Sequence, residues 1–284
     1  MSSRPLEGKL AVVTGAFRGI GAAITKHLAA KGANVLGVYT SDSSTQSAKD
    51  LITALQEAHG VKIVAVQADL SDSEESPRRI VEAAQAMFGH SENLTVNILV
   101  NNAGVGGDYP LGEVPMAEFH RIYAVNVLAP IMVTQALLPF LPRDRSGRIV
   151  NISSVASTMG FKTHTLYGGT KAALEAMTRT WARELAERAT VNAVNPGPVE
   201  GDMYWAAGED FWKQLEPFQL AAPLSAVRET DRPELVRLAN EKMAGRRPAY
   251  WTEVADIVGM LCGPESAWCT GSVVCANGGL RFSV

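Results

Sequence analysis

The sequence predicts an α/β fold: a single domain built on one doubly wound, seven-stranded parallel sheet with helices on both faces. Three observations predict it. Short β-branched runs alternate with longer segments of helical periodicity along nearly the whole chain. The short runs are almost continuously apolar, as strands covered on both faces must be. A strand–helix–strand repeat at this interval closes through right-handed crossovers, which makes the sheet parallel. The 284 residues suit one large domain spanning 1–284 better than two.

The elements follow in order. Leu10–Val13 is the first strand, and Gly21–Lys31 a helix with Ile24, His27 and Leu28 at helical spacing. Asn34–Tyr39 is the second strand; Ala48–His59 is helical, with Leu51, Ile52 and Leu55 on one face. Lys62–Gln67 is the third strand, followed by a helix over Pro77–Phe88 whose proline suits a first turn. Asn97–Val100, the helix Ala117–Leu138 and the strand Gly147–Ile152 repeat the pattern. A long helix over Gly169–Glu187 spaces Leu174, Met177, Trp181 and Leu185 three or four apart, which predicts one buried stripe. Val191–Val194 is the sixth strand. After an insertion at about 202–250 come the helix Val254–Leu261 and the seventh strand, Gly271–Cys275. Ligands of such sheets bind beyond the carboxyl ends of the strands, so the loops after strands one, two, four, five and six are the place to look.

Composition narrows the function classes. Net charge is -3, and Lys and Arg form no long run, which argues against a nucleic-acid surface. The start, Met1 to Lys9, is polar and has no apolar signal core. The apolar stretches are of strand length, short of the roughly 18–20 residues of a membrane helix. The expectation is a cytoplasmic protein without a membrane partner. Cys262, Cys269 and Cys275 have no zinc-type spacing and no nearby His, so reduced thiols are expected and no metal.

After the first strand comes Thr14-Gly15-Ala16-Phe17-Arg18-Gly19-Ile20-Gly21, then a helix. Glycines let backbone approach a pyrophosphate, and the helix start offers unpaired N–H groups and a positive dipole end. The spacing is G-x-x-x-G-x-G rather than G-x-G-x-x-G, but its place in a βαβ unit is that of a Rossmann dinucleotide turn. Gly15, Arg18, Gly19, Ile20 and Gly21 are the candidate cofactor residues here. An NAD site wants an acid at the tip of the second strand. That tip reads Val38-Tyr39-Thr40-Ser41-Asp42, with Asp42 late and on a Ser-rich loop. Arg18, Thr40 and Ser41 suit a 2′-phosphate, so NADP(H) is favoured. Asp42 folded back onto the ribose would reverse that choice.

Further motifs stand downstream. Asn101-Asn102-Ala103-Gly104 follows the fourth strand. Ser154 ends the fifth, thirteen residues before Tyr167, and Lys171 lies four after Tyr167. Asn195-Pro196-Gly197-Pro198-Val199 closes the sixth strand. Together with the glycine turn, these resemble the short-chain dehydrogenase/reductase family over nearly the whole chain except about 202–250. The resemblance implies hydride transfer between a nicotinamide and a carbonyl or alcohol carbon. It places Asn126, Ser154, Tyr167 and Lys171 as a catalytic tetrad. It implies cofactor contacts from Asp69, Leu70, Asn102, Ala103, Gly104, Tyr167, Lys171, Pro196, Gly197 and Val199, Asp69 at the adenine amino group; a helix N-cap is the rival role for Asp69. Where the family commonly carries a Thr on the nicotinamide side, this chain has Gly201.

The residues themselves agree. Tyr167 and Lys171, one turn apart, share a helix face. A phenol near pKa 10 exchanges protons poorly at neutral pH, and a nearby ammonium lowers that pKa. So tuned, Tyr167 can donate to a carbonyl oxygen or accept in reverse. Ser154 can donate to the same oxygen, and Asn126 is expected to hold a water linking Lys171 to solvent.

The 202–250 stretch, expected to be a substrate lid, carries Tyr204, Trp205, Phe211, Trp212 and Phe218. They suit a bulky apolar small-molecule ketone or alcohol, or else pack the segment on itself. Ser153, Ser157, Met159, Phe161, His164 and the Val105–Tyr109 loop are expected to line the rest. Arg145 and Arg188 resemble acyl-carrier-protein contacts of 3-oxoacyl reductases, an alternative activity; Arg143 and Arg148 add charge nearby. A non-catalytic NADP-binding regulator is the alternative of another class. A Ser hydrolase lacks its G-x-S-x-G elbow. The resemblance also implies a homo-oligomer, a tetramer or dimer.

Overall fold

The computed structural model describes residues 4–88 and 94–282; the polar start at residues 1–3 lies outside them. Seven parallel strands form one sheet: β1 (Leu10–Thr14), β2 (Asn34–Tyr39), β3 (Ile63–Gln67), β4 (Ile98–Asn101), β5 (Gly147–Ile152), β6 (Ala189–Pro196) and β7 (Val273–Ala276). Their order is β3-β2-β1-β4-β5-β6-β7. The sequence therefore names the fold correctly.

Successive side chains of a strand point to opposite faces, and here both faces are dry. Ala11 and Val13 of β1 pack with Ile24 and Leu28 of α1 (Gly19–Ala30) and with Val254 and Val258 of a late helix. Leu10 and Val12 pack with Ile80, Val133 and Leu137 on the other side. This is why the strands read as unbroken apolar runs rather than alternating ones.

The strand order reverses between β1 and β4, so a crevice opens beyond their carboxyl ends. Thr14 and Asn101 end these two strands, with Val13 paired to Val100. The glycine turn and the Asn102–Gly104 loop therefore face each other across the switch point.

Helix boundaries differ from the sequence reading in informative ways. α2 runs Thr45–His59 and α3 Glu75–Met87. Asp72 Oδ1 accepts the Glu74 and Glu75 N–H groups at 3.1 and 2.9 Å and so caps α3. Pro77 stays inside the first turn, where its missing N–H removes no helical bond. The expected helix Ala117–Leu138 is α4 (Met116–Tyr123), a π turn at Ala124–Leu128 and α5 (Ala129–Leu137). The run Met116–Phe140 is long and apolar enough to cross a membrane by length and composition, contrary to expectation. Ile122, Ala129, Val133 and Leu137 within it are buried in the fold, as in a core helix.

α6 is a single turn at Ala156–Met159, and α7 runs Thr165–Glu184, starting four residues before the expected Gly169. Its buried face is Lys171, Leu174, Glu175, Thr178 and Ala182 rather than the purely apolar stripe, since Met177 and Trp181 stay half-buried. The 202–250 stretch forms α8 (Asp202–Ala221), broken at Gly208 (φ 74°), and α9 (Pro233–Lys242). α10 (Trp251–Cys262) returns against α1.

Candidate active site

The crevice is locked by one threonine. Thr14 Oγ1 accepts the N–H groups of Asn102 and Ala103, both at 3.0 Å. Asn102 Nδ2 donates to the Thr14 and Gly15 carbonyls at 2.9 and 3.2 Å. Asn102 thus buttresses the glycine turn, a role sequence reasoning missed, as it missed Thr14. Gly15 and Gly19 adopt φ of 66° and 51°, in the left-handed region. A Cβ on Gly21 would sit 1.9 Å from the Gly15 carbonyl oxygen. Arg18 caps α1 in extended conformation with no side-chain cap, and the first turn carries no acid. The orphan N–H groups of α1 are thus left to an anion. Arg18 itself is exposed, without an ion pair among the described residues. These features fit a dinucleotide diphosphate.

Around the tip of β2, Thr40 Oγ1 lies 3.5 Å from the Ala68 carbonyl, and Ser41 and Ser43 share a hydrogen bond of 2.7 Å. Asp42 Oδ1 accepts Gln67 Nε2 at 2.8 Å. Asp69 is not the helix cap: its Oδ1 accepts the Ser71 N–H and hydroxyl at 3.0 and 2.9 Å. Leu70 is buried beneath it.

The structure brings Ser154, Tyr167 and Lys171 together. Ser154 lies two residues past the end of β5, not on it; its Oγ accepts the Ala156 N–H at 3.1 Å, which starts α6. Its side chain lies close enough to the Tyr167 phenol to act on that group's acidity. Lys171 Nζ donates to the Ile152 carbonyl at 2.8 Å and lies 5.6 Å from the centre of the Tyr167 ring. Burial lowers the Lys171 pKa to about 8. Burial also raises that of Tyr167, while the neighbouring Ser154 hydroxyl pulls it down. Lys171 does not add to that lowering as expected; its ammonium donates to the Ile152 carbonyl.

Asn126 sits in the π turn, a feature frequent at functional sites. Its Oδ1 accepts the Val105 N–H at 2.9 Å, and its Nδ2 donates to the Val105 carbonyl at 2.8 Å and to Thr170 Oγ1 at 3.1 Å. Both amide hydrogens are taken, so Asn126 pins the Val105 backbone instead of presenting a donor to water. A further residue went unnoticed in the sequence: Glu175. Its buried Oε1 accepts Ser153 Oγ at 2.7 Å, Ser157 Oγ at 2.8 Å and Asn195 Nδ2 at 3.0 Å. Asn195 Nδ2 also donates to the Ser154 carbonyl at 3.0 Å. One carboxylate therefore ties α7, both sides of Ser154 and the end of β6. Only its place one turn past Lys171 could have pointed to it.

On the substrate side, His164 Nε2 and Asp108 Oδ1 meet at 3.0 Å. The His164 ring lies edge-on to Tyr167, and Phe211 of α8 covers it at 5.7 Å. Burial lowers the His164 pKa, the Asp108 charge opposing. Tyr109 of the same loop donates to Glu118 at 2.6 Å; Arg121 and Tyr109 hold that carboxyl down at about 2. The aromatic cluster divides. Tyr204 and Trp212 stack and are buried within their own segment, whereas Phe211 and Phe218 pack on Phe161. Three members of the basic cluster are already engaged: Arg145 pairs with Glu187, and Arg188 binds the Leu138, Leu141 and Pro142 carbonyls. Arg148 is buried on the Gly263 and Gly147 carbonyls.

Pro196 ends β6, and Val199 pairs with Ala249. A Cβ on Gly197 would meet Asn277 at 3.1 Å. Gly104 leaves room beside Lys171 and Asn126: its Cβ would sit 3.3 Å from Lys171 Nζ. Gly201 (φ 137°) lies against the Trp251 indole, whose N–H donates to the Glu200 carbonyl.

A seven-stranded doubly wound sheet with this glycine turn and this Ser–Tyr–Lys cluster defines an oxidoreductase of the short-chain dehydrogenase/reductase family, and the chain belongs to it: the short chain dehydrogenase family model matches residues 9–211. Among curated relatives, it is 54% identical to L-xylulose reductase of Aspergillus niger, over 99% of this chain and 100% of that protein. It is 51% identical to L-xylo-3-hexulose reductase of Hypocrea jecorina, over 99% of each. Among solved structures, it matches a blue fluorescent protein from a metagenomic library in complex with NADPH, with a TM-score of 0.82, 36% identity and coverage of 98% of this chain and 100% of that one.

Proposed function

We propose that the protein reduces the keto group of a small polyhydroxylated ketone to a secondary alcohol, with NADPH as cofactor and Tyr167 as proton donor. The observation that carries this reading is the convergence of Ser154 and Tyr167 with Lys171 buried beside them. Gly15, Gly19 and Gly21 with the α1 N–H groups would hold the diphosphate, and Arg18, Thr40 and Ser41 the 2′-phosphate. Two features favour NADP(H) over NAD: Arg18 is exposed with no ion pair among the described residues, and Asp42 is held by Gln67. Gly104, Lys171, Pro196, Gly197 and Val199 border the nicotinamide end. Bound there, a reduced nicotinamide supplies the hydride.

The chain's own residues do the rest. Ser154 and Tyr167 hydrogen-bond the ketone oxygen, and Tyr167 delivers its proton as negative charge develops there. The Ser154 hydroxyl and the Lys171 ammonium then stabilise the phenolate. Asn126 keeps the Val105 loop in place beneath the substrate. The bulky apolar substrate expected from the aromatics is replaced by a ketose. Tyr204 and Trp212 are buried in their own segment, and the Aspergillus and Hypocrea relatives are named for reduction of xylulose and a hexulose. An acyl-carrier-protein substrate is disfavoured because Arg145, Arg148 and Arg188 are already paired. The chain acts as one domain, with 202–250 as a lid whose Phe211 covers His164, and assembles as a homo-oligomer.

The test is NADPH oxidation followed by absorbance over a panel of ketoses and 3-oxoacyl thioesters, with NADH in parallel. Ketose turnover with NADPH is expected, and Tyr167→Phe should lose at least about a hundredfold in kcat while still binding NADPH. Full activity in Tyr167→Phe would overturn the mechanism. NADPH binding without turnover on any ketone would favour a regulatory protein.

A further inference from the structure

Trp251 is the first residue of α10 and touches both borders of the nucleotide crevice. A Cβ on Gly19, at the start of α1, would sit 3.9 Å from its indole nitrogen. A Cβ on Gly201, just after the β6 segment, would sit 3.1 Å from that nitrogen and 3.6 Å from two ring carbons. The ring therefore reaches from the helix start that faces the diphosphate to the segment that covers the nicotinamide. It is also held there. Its N–H donates to the Glu200 carbonyl, and the Glu200 carboxylate pairs with Arg232. Next to it, Tyr250 and Glu253 form a reciprocal cap on α10, and the Arg232 and Arg247 guanidinium groups flank the Tyr250 ring at 4.8 and 4.5 Å. A large apolar residue fixed this firmly nevertheless stays 37% exposed. The indole is flanked by Gly19 on one side and by Gly201 on the other.

We propose that Trp251 is a cofactor-binding residue: its indole forms the outer wall of the channel between Gly19 and Gly201 and packs against the diphosphate–nicotinamide half of bound NADP(H). This rests on the NADP(H) reading above. It also accounts for Gly201. A side chain there would occupy the space the indole takes, so the ring stands in for the missing residue as an apolar wall rather than a hydrogen-bond donor. An indole already fixed by its own hydrogen bond loses little freedom on binding, which is how preorganised contacts gain affinity.

The experiment is calorimetric titration of wild type, Trp251→Phe and Trp251→Ala with NADP⁺, NAD⁺ and 2′,5′-ADP, without substrate. Tryptophan emission is recorded during the NADP⁺ titration, and circular dichroism verifies folding. Trp251→Ala should weaken NADP⁺ binding about tenfold and leave 2′,5′-ADP, which lacks the nicotinamide half, unchanged. Trp251→Phe should lose only a fewfold, and should lose part of the emission quenching that NADP⁺ causes in wild type. Unchanged NADP⁺ affinity in Trp251→Ala would overturn the inference alone. Equal losses for NADP⁺ and 2′,5′-ADP would do the same, by showing a general disturbance of α1 and α10. A wild type that binds neither dinucleotide would overturn the NADP(H) reading and this inference with it.

Discussion

Glu175→Ala should be among the most damaging single substitutions outside the Ser154–Tyr167–Lys171 cluster. It removes the acceptor shared by Ser153 Oγ, Ser157 Oγ and Asn195 Nδ2. Two of these donors keep a second partner: Ser153 has the Lys171 carbonyl at 3.3 Å, and Asn195 the Ser154 carbonyl at 3.0 Å. The Ser157 hydroxyl loses its acceptor outright. A hydrogen bond to a charged group contributes roughly 1.5–3 kcal/mol, and a stranded buried donor costs about 1–3 kcal/mol. Relief from burying a carboxylate offsets part of this. The net loss is about 2–4 kcal/mol, or a fall in Tm of about 4–8 °C at roughly 2 °C per kcal/mol for a chain of this size. Glu175→Gln keeps an acceptor oxygen and should lose about 1 kcal/mol. With Asn195 no longer anchored by Glu175, its hold on the Ser154 carbonyl weakens, so kcat should fall more than the NADPH affinity does. Thermal unfolding by circular dichroism, steady-state kinetics and nucleotide titration measure all three. A Glu175→Ala protein with wild-type Tm and kcat would refute the argument that this carboxylate organises the site.

Other outcomes follow from the same geometry. Lys171 has a folded pKa of about 8, against 10.5 when unperturbed. Below pH 8 both states carry its charge and the burial penalty is fully present. Between pH 8 and 10.5 the unfolded chain holds the extra proton, so stability rises with pH. Compared with Lys171→Met, wild type should gain roughly 3 kcal/mol across that window in urea unfolding at each pH; a pH-independent gap would refute the assignment. Gly21→Ala, whose Cβ would sit 1.9 Å from the Gly15 carbonyl oxygen, should abolish nucleotide binding in calorimetry by displacing the turn. Arg188→Ala strands the Leu138, Leu141 and Pro142 carbonyls and should lower Tm by several degrees, roughly 2–3 kcal/mol. An unchanged Tm would show that these carbonyls find other partners.

What the sequence by itself determined follows from local regularities. Doubly buried strands must be apolar on both faces, so β1, β2, β4 and β5 were legible as runs, and their alternation with helices dictated a parallel sheet. The glycine turn and the Tyr167–Lys171 spacing were legible because each is a short stretch whose geometry depends on near neighbours. The tertiary structure decided whatever depends on partners distant in the chain. Glu175 breaks the apolar periodicity of α7, so a pattern search passes over it, yet its donors come from the turn after β5, from α6 and from β6. Asn126 and Asn102 had their partners, Val105 and the Thr14–Gly15 backbone, assigned only by folding. The aromatics of α8 could not be divided between self-packing and site wall until Tyr204 stacked on Trp212 and Phe211 settled on His164. Trp251 reaches Gly201 and Gly19 only because α10 returns across α1. Local propensity repeats with a period that a sequence displays, whereas a hydrogen bond between residues dozens of positions apart leaves no periodic trace and exists only once the chain has closed on itself.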